Sequence, residues 1–200
     1  MELSRFDRSA RLHRGLLRFE DSGLTCRQWN LAVARGDVER QHGDVVRMFG
    51  APTTAEARIQ AAVLAAGSDA LASHRSSALL WGVERPADDP IDIILPARVR
   101  RARLSDVVVH RPRDMRQLRP VWRQGIRTTD PLRTLVDLGA VDPNGVGSAL
   151  AHFVIDGYVT ARAVRAALVR HSQHGRHGVV ALREALDRWS INEKPVDSDL

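Results

Sequence analysis

The sequence predicts an α/β chain of the segregated, α+β kind, and three observations predict it. The first fifty residues read as short helices followed by a polar hairpin. Short β-branched runs at 91–95, 107–110 and 125–128 read as strands. From Asp130 onward the apolar residues recur at helical spacing. At 200 residues, 44% hydrophobic and 27% charged, the chain is long enough to bury a sizeable core and is not of disordered composition. No apolar run approaches the length of a membrane span, and no charged start leads into an apolar stretch, so a cytoplasmic protein without membrane contact is expected. The single Cys26 excludes an internal disulfide and a Cys-based zinc site.

Taken in order, residues 3–22 read as a helix interrupted at Gly15. Arg11, Arg14 and Arg18 share one face of it, and Leu12, Leu16 and Phe19 another. Gly23 ends it. Residues 24–35 read as a second helix with Thr25 as N-cap, because its hydroxyl can accept from a free N–H of the first turn. Cys26, Trp29 and Val33 fall on one face, and Arg27, Gln28, Leu31 and Arg35 on the other. Gly36 closes the helix. A hairpin follows, Val38–Gln41 and Val45–Phe49 around His42-Gly43-Asp44. This is the outline of a winged helix-turn-helix, in which a short helix enters the major groove and the hairpin lies along the backbone.

Ala51-Pro52-Thr53 reads as a linker, and Thr54–Ala66 as an Ala-rich helix stopped by Gly67. Ser73 is placed to cap a short helix running to Trp81. Asp130 and Pro131 open the next helix as N-cap and first helical residue. Within it Arg133 and Asp137 are four apart, as in a surface pair worth a few tenths of a kcal/mol. Helices over about 144–156, 160–170 and 176–189 complete the chain. The expected domains are a winged helix-turn-helix over 1–50, a small mixed α/β domain with a helical C-terminal part over 51–190, and a linker or the start of a truncated further domain over 191–200.

The charge distribution is uneven. All but one of the 30 basic residues are Arg, the better fork for phosphate and guanine. Residues 97–127 hold ten of them against two Asp, more net charge than the +6 of the whole chain. Arg98, Arg100, Arg101, Arg103, Arg111 and Arg113 form the first part of this run. Arg116, Arg119, Arg123 and Arg127 continue it. A one-signed stretch of this kind suits phosphates or an acidic partner. With only nine aromatic residues, a stacking platform for single strands is not expected.

Four stretches carry a resemblance to a known family. They are Gly23-Leu24-Thr25, Ser73-His74-Arg75-Ser76 leading to Leu80-Trp81-Gly82, Val109-His110-Arg111, and Gly125–Leu138 with its Thr-Thr-Asp-Pro-Leu-Arg-Thr core. Together they resemble the AbiEi-like antitoxins of type IV toxin–antitoxin systems, in the actinobacterial branch, over about residues 13–190. The resemblance implies an N-terminal winged helix that binds double-stranded operator DNA. It also implies a following domain with antitoxin or partner-binding output, opposing a nucleotidyltransferase-like toxin. Many members of that branch continue into a domain resembling very-short-patch-repair endonucleases. The alternative it implies is therefore the targeting part of a nuclease-like protein with its chemistry beyond Leu200. Family members often carry several Arg in the second helix, where this chain has Arg27 and Arg35.

The expected DNA contacts are Thr25, Arg27, Gln28, Leu31 and Arg35 on the second helix and Arg40, His42 and Arg47 on the hairpin. No catalysis, cofactor or metal is expected. Ser73, His74 and Ser76 are adjacent in a helix and so do not face one another, and capping and packing account for them. His171, His174 and His177 lack acidic or Cys companions. Asp88, Asp89 and Asp92 lack a following Lys, and there is no P-loop or GxGxxG. A non-catalytic, DNA-binding, antitoxin-like transcriptional autoregulator is the first expectation. A protein-interaction module that no longer touches DNA is a further alternative.

Overall fold

The computed structural model describes residues 13–99, 104–171 and 178–192, with side chains as far as Trp189. It is a mixed α/β, α+β fold with two sheets, and the described residues form eight α-helices. In order these are β1 (Leu16–Arg18), α1 (Phe19–Ser22), α2 (Cys26–Arg35), β2 (Val38–His42), β3 (Val45–Met48), α3 (Ala55–Ala66), β4 (Leu71–Ala72), α4 (His74–Leu80), β5 (Ile91–Ile94) and β6 (Val107–His110). A 3-10 turn (Met115–Gln117) leads to β7 (Pro120–Arg123), β8 (Ile126–Thr129), α5 (Pro131–Val141), α6 (Val146–Ile155), α7 (Ala161–His171) and α8 (Gly178–Asn192). No helix among the described residues is long and apolar enough to cross a membrane.

Residues 16–18 are a strand, not part of a helix over 3–22, whose first residues lie outside the described ones. Adjacent Leu16 and Leu17 are both fully buried, which a strand achieves by sending them to opposite faces. Leu16 packs with Val45, Ala61 and Ala65, whereas Leu17 packs with Trp29, Val38 and Val46. Each side chain removed from water stabilises its layer by about 1.5–3 kcal/mol. Gly15 permits this start: at φ +80° it carries the chain so close to Ala51 that an added Cβ would lie 2.3 Å from the Ala51 Cβ.

The first sheet has the antiparallel order β1-β3-β2. Its hairpin is tighter than the sequence suggests. His42 belongs to β2 and pairs with Val45 after an irregularity at Gln41, leaving Gly43-Asp44 as the turn. The second sheet has the order β6-β5-β4-β8-β7, with β5–β6 and β4–β8 parallel and β4–β5 antiparallel. β4, at two residues, is too short to carry a strand signature of its own, and β7, Pro-Val-Trp-Arg, lacks the β-branched run that marks β5 and β6. The β7–β8 turn, Gln124-Gly125, has positive φ at both residues, as a type I′ hairpin requires.

Helix α3 packs on β1, β2 and β3 of the first sheet and on β4 and β5 of the second. Eight of its twelve residues are accordingly buried, and Ala at most of these positions allows close approach. The packing therefore does not divide the chain at residue 50. One compact unit combines residues 1–72 with 86–128, and the other combines 73–85 with 129–200. Sequence order hides this because each unit is assembled from two separated stretches.

The second unit is helical around a single core that includes Leu135, Leu138, Leu150, Phe153, Leu182 and Leu186. Asp130 caps α5 as expected, accepting from the Arg133 N–H at 3.1 Å. Ser73 does not cap α4. Its hydroxyl meets His74 Nδ1 at 2.9 Å instead, and His74 enters the helix at φ +49°. The Arg133–Asp137 pair is buried rather than on the surface: the side chains are 3% and 7% exposed, with Arg133 Nε 2.8 Å from both carboxylate oxygens. His171 is buried in α7, and His174 and His177 lie outside the described residues. Asp92 is fully buried in β5 against His110 Nε2 at 2.7 Å.

Ser77, Thr129 and Thr134 form a closed hydroxyl cluster with oxygen separations of 2.7–3.0 Å. Thr134 also donates to the Asp130 carbonyl at 2.8 Å, and Trp81 Nε1 donates to the Thr129 carbonyl at 3.0 Å. The Ser73–Gly82 and Thr129–Leu138 stretches, far apart in sequence, thus meet in one buried polar network. Their residues satisfy each other, as a buried polar group must.

Candidate nucleic-acid interface

Helix α2 is held at its start by a reciprocal capping box. The Thr25 hydroxyl accepts from the Gln28 N–H at 3.3 Å, and Gln28 Oε1 accepts from the Thr25 N–H at 2.8 Å and its hydroxyl at 2.9 Å. Thr25 and Gln28 therefore terminate the helix. The Gln28 side-chain oxygen is thereby committed to the cap. Trp29 is the anchor beneath: it is 4% exposed and meets Phe19 edge-on, with ring centroids 5.4 Å apart. Cys26 is exposed instead of sharing the buried face with Trp29, because it sits in the first turn, where the helix leaves the core.

The outward side carries Arg27, Asn30, Leu31, Ala34 and Arg35, all exposed. Their spacing of three and four places them on one stripe. The helix contains no acidic residue. Among the described residues neither Arg27 nor Arg35 has an ion-pair partner. Elsewhere guanidinium groups are spent internally: Arg18 on Glu20 and Asp21, Arg47 on Glu39, Arg85 on Asp142 and Arg133 on Asp137. Arg40, on the hairpin, reaches back to Asn30 Oδ1 at 3.1 Å and so ties the hairpin to the exposed face of α2. That link joins a strand to a helix and leaves no local sequence signal.

The other two hairpin residues turn inward. Arg47 bonds Glu39 and the Ala51 carbonyl, and its buried Nε has no hydrogen-bond partner among the described residues. It braces the hairpin against the segment before α3 and is not placed to meet phosphate. His42 is half-buried, and its Nδ1 is likewise buried and unpartnered. Burial lowers its pKa below the ordinary value, Asp106 opposes that shift and Arg58 adds to it. His13, whose Nδ1 lies 3.1 Å from Gln60 Nε2, is also lowered, first by burial.

Folding therefore favours the neutral form of both rings. The unfolded chain binds more protons below the ordinary value of 6.5, so the stability of this unit rises with pH through that region and is lost as pH falls below it. Urea unfolding at pH 5 and pH 8 should show a lower midpoint at pH 5, and His42→Gln should reduce the difference. An unchanged pH dependence in His42→Gln would remove His42 from the account.

The basic segment is divided by the structure. Arg100, Arg101 and Arg103 lie outside the described residues. Arg98 pairs with Asp69 at 3.0 Å, Arg111 donates to the Pro96 carbonyl at 2.7 Å, and Arg127 donates to the Ser68 carbonyl. Arg113, Arg116 and Arg119 are exposed and have no ion-pair partner among the described residues. Three residues after Arg119 in the chain, on the edge strand β7, Trp122 is 72% exposed. A composition scarce in aromatics gave no reason to expect an indole in solvent there.

Among the described residues no three His, Cys, Asp or Glu side chains cluster so as to hold a metal ion. No family model and no curated protein matches the chain. Among solved structures, the chain is similar to the crystal structure of the RV2827C protein from Mycobacterium tuberculosis, with a TM-score of 0.58 over 93% of this chain and 76% of that one, at 17% sequence identity. At that identity the likeness is one of fold.

Proposed function

We propose that this chain is a cytoplasmic, non-catalytic protein that binds double-stranded DNA through α2, in the manner of a winged helix, with transcriptional, antitoxin-like output. The observation that carries the reading is the acid-free outer face of α2, where Arg27 and Arg35 are exposed and unpaired. The arrangement around it supports the reading. A short helix and a glycine turn precede α2, and a hairpin paired to β1 follows it. A guanidinium at such a position can fork onto guanine or bind phosphate. The hairpin contributes Arg40 alone of the three residues expected there.

Binding of the purified chain to its own upstream DNA and to a scrambled duplex, titrated across salt, tests this. Selective binding that weakens steeply with salt is expected. Arg27→Ala should weaken it by about 1–3 kcal/mol if the contact is to a base. Equal binding to both duplexes would favour a sequence-independent basic surface, as in the targeting part of a nuclease-like protein. A specific observation favours a second reading as a protein-interaction module: Leu31, in the middle of the same face, is 46% exposed and Phe49 after the hairpin is 86% exposed. The absence of duplex binding at low salt would establish that reading over the first.

A further inference from the structure

The 3-10 turn and edge strand β7 carry a surface that the α2 face does not use. Arg113, Arg116 and Arg119 recur every third residue through and around Met115–Gln117, where three residues make one turn. All three are exposed and without an ion-pair partner among the described residues, whereas Arg98, Arg111 and Arg127 of the same basic run are committed to Asp69 or to backbone carbonyls. Trp122 follows three residues later on the outermost strand of the five-stranded sheet. At 72% exposed it differs from Trp29, which is buried, and from Trp81 and Trp189, which pack on the helical core. A large indole left in water, three residues along the chain from the last of three uncommitted guanidinium groups, suits a partner that offers both negative charge and a flat apolar face.

We propose that this surface binds an unpaired nucleic-acid strand, with the phosphates on Arg113, Arg116 and Arg119 and a base stacked on Trp122. The charge is of one sign, which fits a phosphate backbone. The exposed indole favours an unpaired strand over a duplex, because a base inside a duplex is already stacked and presents no free face. The proposal uses no residue of α2 and does not depend on whether that helix reads DNA.

The test is fluorescence titration of the full chain with oligo(dT), oligo(U) and a blunt duplex of scrambled sequence at low and moderate salt. Single-strand binding that quenches tryptophan emission is expected, and the two oligomers show whether the strand is DNA or RNA. Trp122→Ala should weaken it by about tenfold or more. Trp122→Phe should restore most of it, and both variants should keep the thermal midpoint of the parent chain. The triple change Arg113→Ala, Arg116→Ala and Arg119→Ala should lower the salt slope by about two. The proposal is overturned if neither oligomer binds at low salt or if Trp122→Ala binds as the parent does. It is equally overturned if Trp122→Ala loses duplex binding to the same degree, or if polyglutamate competes as well as the oligomers. Loss of duplex binding in Arg27→Ala with single-strand binding intact would separate this surface from the α2 face.

Discussion

Asp137→Ala is expected to lower the stability of the helical unit by about 3–5 kcal/mol, because it removes the carboxylate that meets the Arg133 guanidinium at close range in a site that is only 3% exposed. Both carboxylate oxygens lie 2.8 Å from Arg133 Nε, so the pair is satisfied at close range and away from water. A surface pair with the same four-residue spacing would lose only a few tenths of a kcal/mol, and burial decides between the two magnitudes. Arg133→Met with Asp137→Leu removes both charges and should recover much of the loss, since the desolvation of two ions is then no longer required. Thermal unfolding of Arg133→Met, of Asp137→Leu and of the double variant closes the cycle. On the usual scaling for a chain of this size, the single change should lower Tm by roughly 10 °C. A fall of only a degree or two would mean that solvent reaches the pair.

Gly178→Ala is the second large effect. Gly178 opens α8 where it crosses α5, and a Cβ there would lie 2.1 Å from the Val136 carbonyl oxygen and 2.7 Å from the Ala140 nitrogen. The approach is close from the other side as well, with a Cβ on Gly139 falling 2.6 Å from the Gly178 carbonyl oxygen. The obstructing atoms are backbone and cannot rotate away, so the helices must separate. The expected cost is about 1–3 kcal/mol or more, against the few tenths to 1 kcal/mol that Ala ordinarily gains over Gly in a helix. Gly147→Ala in α6 is the control, because its nearest contact would be the Ala185 Cβ at an ordinary 3.9 Å. Urea midpoints should move in opposite directions for the two variants. Equal midpoints would show that α5 and α8 have slack at the crossing.

The elements most legible in the sequence were those with a local chemical signature. Thr25 and Asp130 cap their helices because each places a short oxygen-bearing side chain before an apolar periodic run. The β-branched runs that form β5 and β6 have little helix propensity and were placed within a residue. The strand β1 reads as helix in the sequence because Leu16 and Phe19 also fit a helical stripe. Only the requirement that neighbouring Leu16 and Leu17 enter two different cores shows the alternation of a strand. The candidate interface was legible in part. Arg27, Leu31 and Arg35 do share the exposed side of α2, since helical angle alone sets that.

What the sequence determined by itself was local: the helix starts, the β-branched strands, the stripe on α2 and the concentration of Arg between residues 97 and 127. What only the tertiary structure decided was how each polar side chain is spent. Gln28 closes a cap, Arg47 and His42 turn inward, and Arg98, Arg111 and Arg127 are absorbed by Asp69 and by backbone carbonyls. Arg113, Arg116, Arg119 and Trp122 stay in solvent. The physical reason is that a cap or an apolar stripe is satisfied within one turn of chain. The partners of Arg98, Arg111 and Arg127 are supplied by segments 29, 15 and 59 residues away, and their arrival depends on the whole packing.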